Sequence, residues 1–310
     1  MLGRFTPSAR GAILLVTGVS IFGFSDNLTL LVSQDVSVGQ FHFSRSVIAV
    51  FMVYVVARLF GMSVVPRYWK AISIRTGFMV TSMLLYFGAM PMMPIAEAGA
   101  GLFTSPIFVL ILSTFIFGEK IGWRQVVAVA IGSCGVLLVL QPGSNGLSVF
   151  QLMPIMAGAC YAAGSIITYR YLQEESSFAI LMSFITAIGL SGALITSGLT
   201  IFPVSSILVE KAPFLFLGWR SVDELYWVSL FIIAAGATAA LSLMTRAYQL
   251  TRTSYAAVFE YSYLISVGFF SWIFWGIVPN FLSVIGIVLI IISGTIITLA
   301  QRNEEKVRRN

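Results

Sequence analysis

The sequence predicts an all-α integral membrane protein with ten transmembrane helices arranged as two inverted five-helix repeats. Three observations lead there. Of the 310 residues 58% are hydrophobic and 10% charged, and mean hydropathy is +0.95; soluble domains carry about a quarter charged residues. The apolar residues gather in runs of about 20, the length that crosses a bilayer. The two halves also resemble each other at fixed offsets.

The first run, 11–33, follows Arg4 and Arg10. It exceeds a signal-peptide core and lacks a small-x-small cleavage site, so it reads as a retained span. Further runs lie at 38–58, 70–91, 95–117 and 124–141, then at 149–171, 178–200, 225–249, 254–277 and 280–300. Polar or turn-forming stretches separate many of them: "SQDVS", "GMSVVPR", "MPMMP", "GEKIGWR", "QPGSNG" and "LQEESS". Ten is even, so both termini share a side. Basic residues choose that side: with the N-terminus inside, fifteen of the 18 Lys and Arg fall in inner segments, and only Lys211 and Arg220 in outer loops. That bias is expected of cytoplasmic termini. The net charge of +6 is thus a topology signal, and nucleic acid is not needed as a partner. Trp69, Trp123, Trp227 and Trp275 fall near span ends, where interfacial anchoring suits them, and Trp272 lies a turn deeper.

"GVSIFGFS" (18–25) aligns with "GACYAAGS" (158–165) at an offset of 140, and "FGAMPMMPIAEAGAG" (87–101) with "TRAYQLTRTSYAAVF" (245–259) at 158. A longer loop between spans seven and eight absorbs the difference. The expected units are 1–146 and 147–310. With five spans each they sit in opposite orientations, an arrangement typical of secondary transporters.

The chain shows no HExxH, P-loop or GxSxG motif. A single histidine, His42, and three aspartates give no basis for a metal site, and no cofactor is expected. Cys134 and Cys160 read as small packing residues. Ionisable residues inside spans are costly and point to function. Asp26 and Arg45 are each nine to ten residues from the Asp35–Val36 turn and are expected to pair, as a gate, as an edge of the substrate site, or as a structural clamp. Arg246 and Glu260 lie seven residues to either side of Thr253, at a common depth from which an ion pair is within reach. Glu260 and Tyr263 share a helical face, whereas Tyr261 points elsewhere. With Tyr86, Tyr161 and Tyr255 they would suit a cationic or zwitterionic ligand, or simply pack between helices. Pro106 frees a backbone carbonyl in span four, beside Ser105 and nine residues beyond Glu97. Glu119 next to Lys120 reads as a structural contact. Small residues in spans five and ten, such as Ala128 and Gly132, fit close packing within the chain or a homodimer contact.

"YFGAMPMMPIAEAGAGLFTSPIFVLILSTFIFGEKIGWRQVVAVAIGSCGVLLVLQPGS" (86–144) resembles the first repeat of the EamA family of the drug/metabolite transporter superfamily. The features are the small-residue entry to span four, Pro106 within it, Gly118-Glu119 closing it, and Gly132 and Gly135 in the next span. "AYQLTRTSYAAVFEYSYLISVGFFSWIFWG" (247–276) resembles the second repeat, without a counterpart of Pro106 and without Glu after Gly276. The resemblance implies a central cavity lined by spans one, three, four, six, eight and nine. It implies a non-enzymatic permease in a bacterial-type inner membrane that moves a small polar metabolite by alternating access. An amino acid or related zwitterion, exported, is the leading expectation. Riboflavin or S-adenosylmethionine is the alternative within the family, and an enzyme acting on lipid-linked substrates the alternative outside it. The partners expected are a small-molecule substrate and membrane lipid.

Overall fold

The structure, a computed structural model, describes residues 6–29, 32, 36–89, 95–142, 150 and 152–309, without the side chains of 8, 95–97, 211 and 302–309. The described residues form helices and no strand. The first half contains α1 (Pro7–Thr29), α2 (Val38–Leu59), α3 (Trp69–Ala89), α4 (Ile95–Leu102), α5 (Ser105–Phe115) and α6 (Trp123–Leu140). The second contains α7 (Leu152–Tyr171), α8 (Ser177–Ile201), α9 (Ser206–Lys211), α10 (Pro213–Phe216), α11 (Glu224–Leu250), α12 (Thr253–Phe259), α13 (Ser262–Trp275) and α14 (Phe281–Arg309). Ten stretches are long and apolar enough to cross a membrane, from Ala9–Thr29 to Phe281–Gln301, and they coincide with the ten expected runs to within a few residues.

Local chemistry sets the helix ends. Ser37 caps α2 by accepting from Gln40 N at 3.3 Å, and Asp223 caps α11 by accepting from Tyr226 N at 2.8 Å. Gly118 and Gly276 stop α5 and α13 in the left-handed region, at φ 62° and 66°, where a side chain would be strained.

Two spans expected to be continuous are not. Span four breaks between α4 and α5 at Phe103–Thr104, and span nine between α12 and α13 at Glu260–Tyr261. In span four Pro106 has no N–H to bond the carbonyl one turn back, and Thr104 Oγ1 donates to Gly101 O at 2.6 Å. In span nine Ser262 Oγ donates to Phe259 O at 2.6 Å without any proline. The two breaks meet: the Phe103 ring lies 6.3 Å from that of Tyr261 and stacks on that of Tyr263 at 5.9 Å.

Span one packs on span eight as span six packs on span three, while span two packs on seven and five on ten. Exchanging the halves maps every one of these pairings onto another or onto itself. The closest approaches use glycine. A Cβ added at Gly39 would lie 3.0 Å from Gly192 O, and one at Gly192 2.6 Å from Gly39 O. Gly135 and Gly286 oppose each other in the same way, at 2.7 and 2.6 Å. The small residues of spans five and ten therefore pack within the chain. Outward faces are apolar, as lipid requires: Phe115 is 83% exposed and Leu194 75%. Trp272, half exposed, belongs to that surface.

Candidate functional site

The break in span nine organises the buried polar groups. On one side, Tyr263 at the start of α13 donates its hydroxyl to Asp26 Oδ2 at 2.7 Å. Asp26 sits in the last turn of α1, with Phe22 also against Tyr263, their ring centroids 6.2 Å apart. Tyr86 on α3 stands within electrostatic reach of both Asp26 and Tyr263. On the other side, Tyr161 of α7 donates to Glu260 Oε1 at 2.5 Å, and the Tyr248 hydroxyl of α11 faces the same carboxylate. Behind Tyr161 lies Arg75 of α3, only 7% exposed. Its Nε donates to Thr168 Oγ1 at 3.2 Å, and its guanidinium lies 5.8 Å from the Phe184 ring centre.

The arrangement corrects two expected pairs. Asp26 and Arg45 form no ion pair; the one found among the described residues is Glu119–Arg170 at 2.7 Å. Arg45 instead donates to His42 Nδ1 at 3.2 Å and lies over Phe41 at 5.1 Å. The reason is depth. Asp26 is three residues from the end of α1, whereas Arg45 is seven residues into α2, an offset of about 6 Å at 1.5 Å per residue. Arg45 still feels the Asp26 charge without touching it. Arg246 and Glu260 do not pair either. Arg246 is exposed and donates to Gln249 Oε1 at 3.2 Å, while Glu260 is 6% exposed. The depths agree but the azimuths differ, and Tyr248, not Arg246, is the α11 residue turned toward Glu260. Tyr261 points away from Glu260, as its position on the helix requires. Its hydroxyl meets Ser133 Oγ at 3.0 Å, and its ring occupies the space that Gly132 leaves open. Tyr255 is buried on α12, Ser105 is buried at the first position of α5, and the Glu97 side chain lies outside the described residues.

Arg75, Tyr248 and Thr168 are not among the site residues expected from the sequence, and His42 is weighed there only as a metal ligand. Arg75, one of the fifteen basic residues counted with the inner segments, lies six residues inside α3. The rule that flagged Arg45 applies equally to "AISIRTGFMV". Without Arg75 the inner segments hold fourteen basic residues against two in the outer loops. At the same end of the bundle Gln249, 4% exposed, donates to Leu172 O at 2.6 Å and Glu175 O at 2.7 Å. Glu175 in turn accepts from Arg67 N at 2.7 Å and Tyr68 N at 2.9 Å. This ties the 2–3 and 6–7 connections to the end of span eight. No group of three metal-ligating side chains is found among the described residues.

Ten apolar spans, two broken helices meeting at mid-bundle and a buried polar centre describe a multi-pass membrane transporter. Residues 9–141 match the EamA-like transporter family. Over 285 residues the chain is 24% identical to the pseudopaline exporter CntI of Pseudomonas aeruginosa, covering 91% of this chain and 94% of that one. It is 24% identical over 247 residues to a riboflavin transporter of Brucella anthropi, covering 76% and 81%. To an S-adenosylmethionine uptake transporter of Rickettsia prowazekii it is 23% identical over 269 residues, covering 85% and 82%. A solved crystal structure superposes with TM-score 0.77 at 17% identity over 95% of this chain and 98% of that chain. That likeness concerns the fold.

Proposed function

We propose that the protein exports a small polar metabolite, an amino acid or related zwitterion, across a bacterial-type cytoplasmic membrane by alternating access. The observation that supports this most is the gathering of opposite charges around one helix break. Asp26 and Glu260 are each gripped by a tyrosine hydroxyl, and Arg45 interacts with Asp26 across a gap. A zwitterion offers an ammonium to a carboxylate and the tyrosine faces and a carboxylate to a guanidinium. In this reading residues 1–146 and 147–310 are inverted repeats that exchange conformations, and both termini are cytoplasmic. The reciprocal helix pairings and the excess of basic residues on one side support those two points. With the native cysteines replaced, Ser221→Cys and Ser63→Cys should then react with impermeant reagents from opposite faces.

The relatives named for riboflavin and S-adenosylmethionine favour a second reading, a larger substrate with a flat ring. Phe22 and Phe103 against Tyr263, and Phe87 against Tyr86, offer aromatic faces for it. Counterflow in proteoliposomes separates the readings. Saturable exchange of an amino acid, blocked by zwitterions but not by their methyl esters, supports the first. Exchange of riboflavin or S-adenosylmethionine alone replaces it with the second, and chemical conversion of the substrate rejects both.

A further inference from the structure

We infer that the protein holds a bilayer lipid in a lateral groove between α2, α3 and α8, with the lipid's ester carbonyl accepting a hydrogen bond from His42. A cavity of about 420 Å³ lies there, lined by Leu84, Phe87 and Ile195 and, from α10, by Leu215 and Phe216. Its one polar side chain is that of His42. Arg45 Nη2 bonds His42 Nδ1 at 3.2 Å. A guanidinium only donates, so Nδ1 accepts and the ring proton sits on Nε2. His42 is 3% exposed, and Nε2 has no partner among the described residues. A buried donor left unpaired is costly, and this one borders an apolar groove.

The occupant must therefore combine one acceptor with an apolar body. Water fits poorly, because a buried water needs two to four polar partners and the lining offers one. A lipid ester fits in depth as well. His42 lies four residues, about 6 Å, beyond the start of α2, and helical side chains lean toward the helix N-terminus. Its imidazole thus reaches the edge of the hydrocarbon layer, where ester groups sit. The rim belongs to the lipid-facing surface, with Leu84 40% and Leu194 75% exposed. The groove is distinct from the carboxylate centre, and its occupancy bears on that centre through Arg45, which shares His42.

Native mass spectrometry of the full-length protein tests this, after reconstitution with a diester phosphatidylethanolamine or its diether analogue with the same chains. The wild type should retain one diester lipid, about fivefold more often than the diether, the worth of one net hydrogen bond. His42→Phe should erase that preference. A Cβ at Gly198 meets nothing within 4 Å, so Gly198→Leu should fold and reduce retention of both lipids. Equal retention of diester and diether by the wild type overturns the proposal, as does retention unchanged in both variants. A dimer that dissociates in Gly198→Leu would give the groove to a second copy of the chain and also overturn it. Should His42→Phe fail to fold, the diester–diether comparison on the wild type still decides.

Discussion

Span four and span nine occupy corresponding places in the two halves, and they break at corresponding residues. Phe103 and Thr104 map onto Tyr261 and Ser262 at the offset of 158 read from the sequence. Thr104 and Ser262 each cap the carbonyl three residues back, at 2.6 Å, and Gly118 and Gly276 end the outgoing helices with positive φ. Only span four has a proline. The break is therefore a property of the hydroxyl cap and the surrounding packing, and Pro106 reinforces it without being its sole cause. Side chains diverge where backbones agree: Leu102 stands where span nine has Glu260, and Ser105 where it has Tyr263. Each half supplies one helix break, and the break in span nine carries the ionisable chemistry.

The largest expected effect comes from removing that asymmetry. Glu260→Ala deprives Tyr161 of its acceptor and Tyr248 of the carboxylate it faces, at a cost of about 1–3 kcal/mol in stability. Transport should fall at least about tenfold, the worth of about 1.4 kcal/mol at the site. At the matching position Leu102→Met, close in volume, should keep transport within about twofold. Proteoliposome flux and thermal unfolding of both variants read the contrast; equal losses would mean that span nine has no special role.

A smaller effect is expected at Asp26. Asp26→Asn and Tyr263→Phe remove the two ends of one hydrogen bond to a charged group. In a double-mutant cycle on thermal stability they should couple by about 1.5–3 kcal/mol. Additivity within about 0.5 kcal/mol would show that the bond contributes nothing. Arg45→Gln with Asp26→Asn should couple more weakly, since these two side chains interact across a gap.

These contrasts mark what a sequence makes legible. Span number and length follow from composition, because lipid imposes a run of about 20 apolar residues that soluble packing does not. Depth was legible at the hairpin between spans eight and nine, where Arg246 and Glu260 lie equally far from Thr253. Azimuth was not, because it depends on which neighbour each helix packs against, and one residue's step rotates a side chain by about 100°. Hence Arg246 faces outward while Tyr248, two residues on, faces Glu260. Partner choice failed at Asp26 through depth: Arg45 lies further from the start of α2 than Asp26 lies from the end of α1, and a tyrosine from the far half of the chain took its place. Arg75 was legible and overlooked: its apolar flanks identify a span residue, but its closeness to the span start invited counting it with the loop.

The smallest expected effect is also the sharpest test of the comparison. Pro106→Ala restores an N–H that can bond the Leu102 carbonyl. If proline alone broke span four, the helix would straighten, Phe103 would rotate away from Tyr263, and the carboxylate centre would lose one wall. If the hydroxyl cap and packing suffice, as span nine implies, the break persists. The cost should then stay under about 1 kcal/mol, since exchanging Pro for Ala acts mainly on the unfolded chain. Transport should remain within about twofold of wild type. Thr104→Val in the same background removes the cap and leaves Gly101 O without that partner, at about 1 kcal/mol. The matching change, Ser262→Ala, should cost a similar amount in span nine. Melting temperatures and flux for the three variants settle the matter. A tenfold loss in Pro106→Ala, with Thr104→Val silent, would mean that the two breaks have separate origins, and that their shared position does not reflect a shared construction.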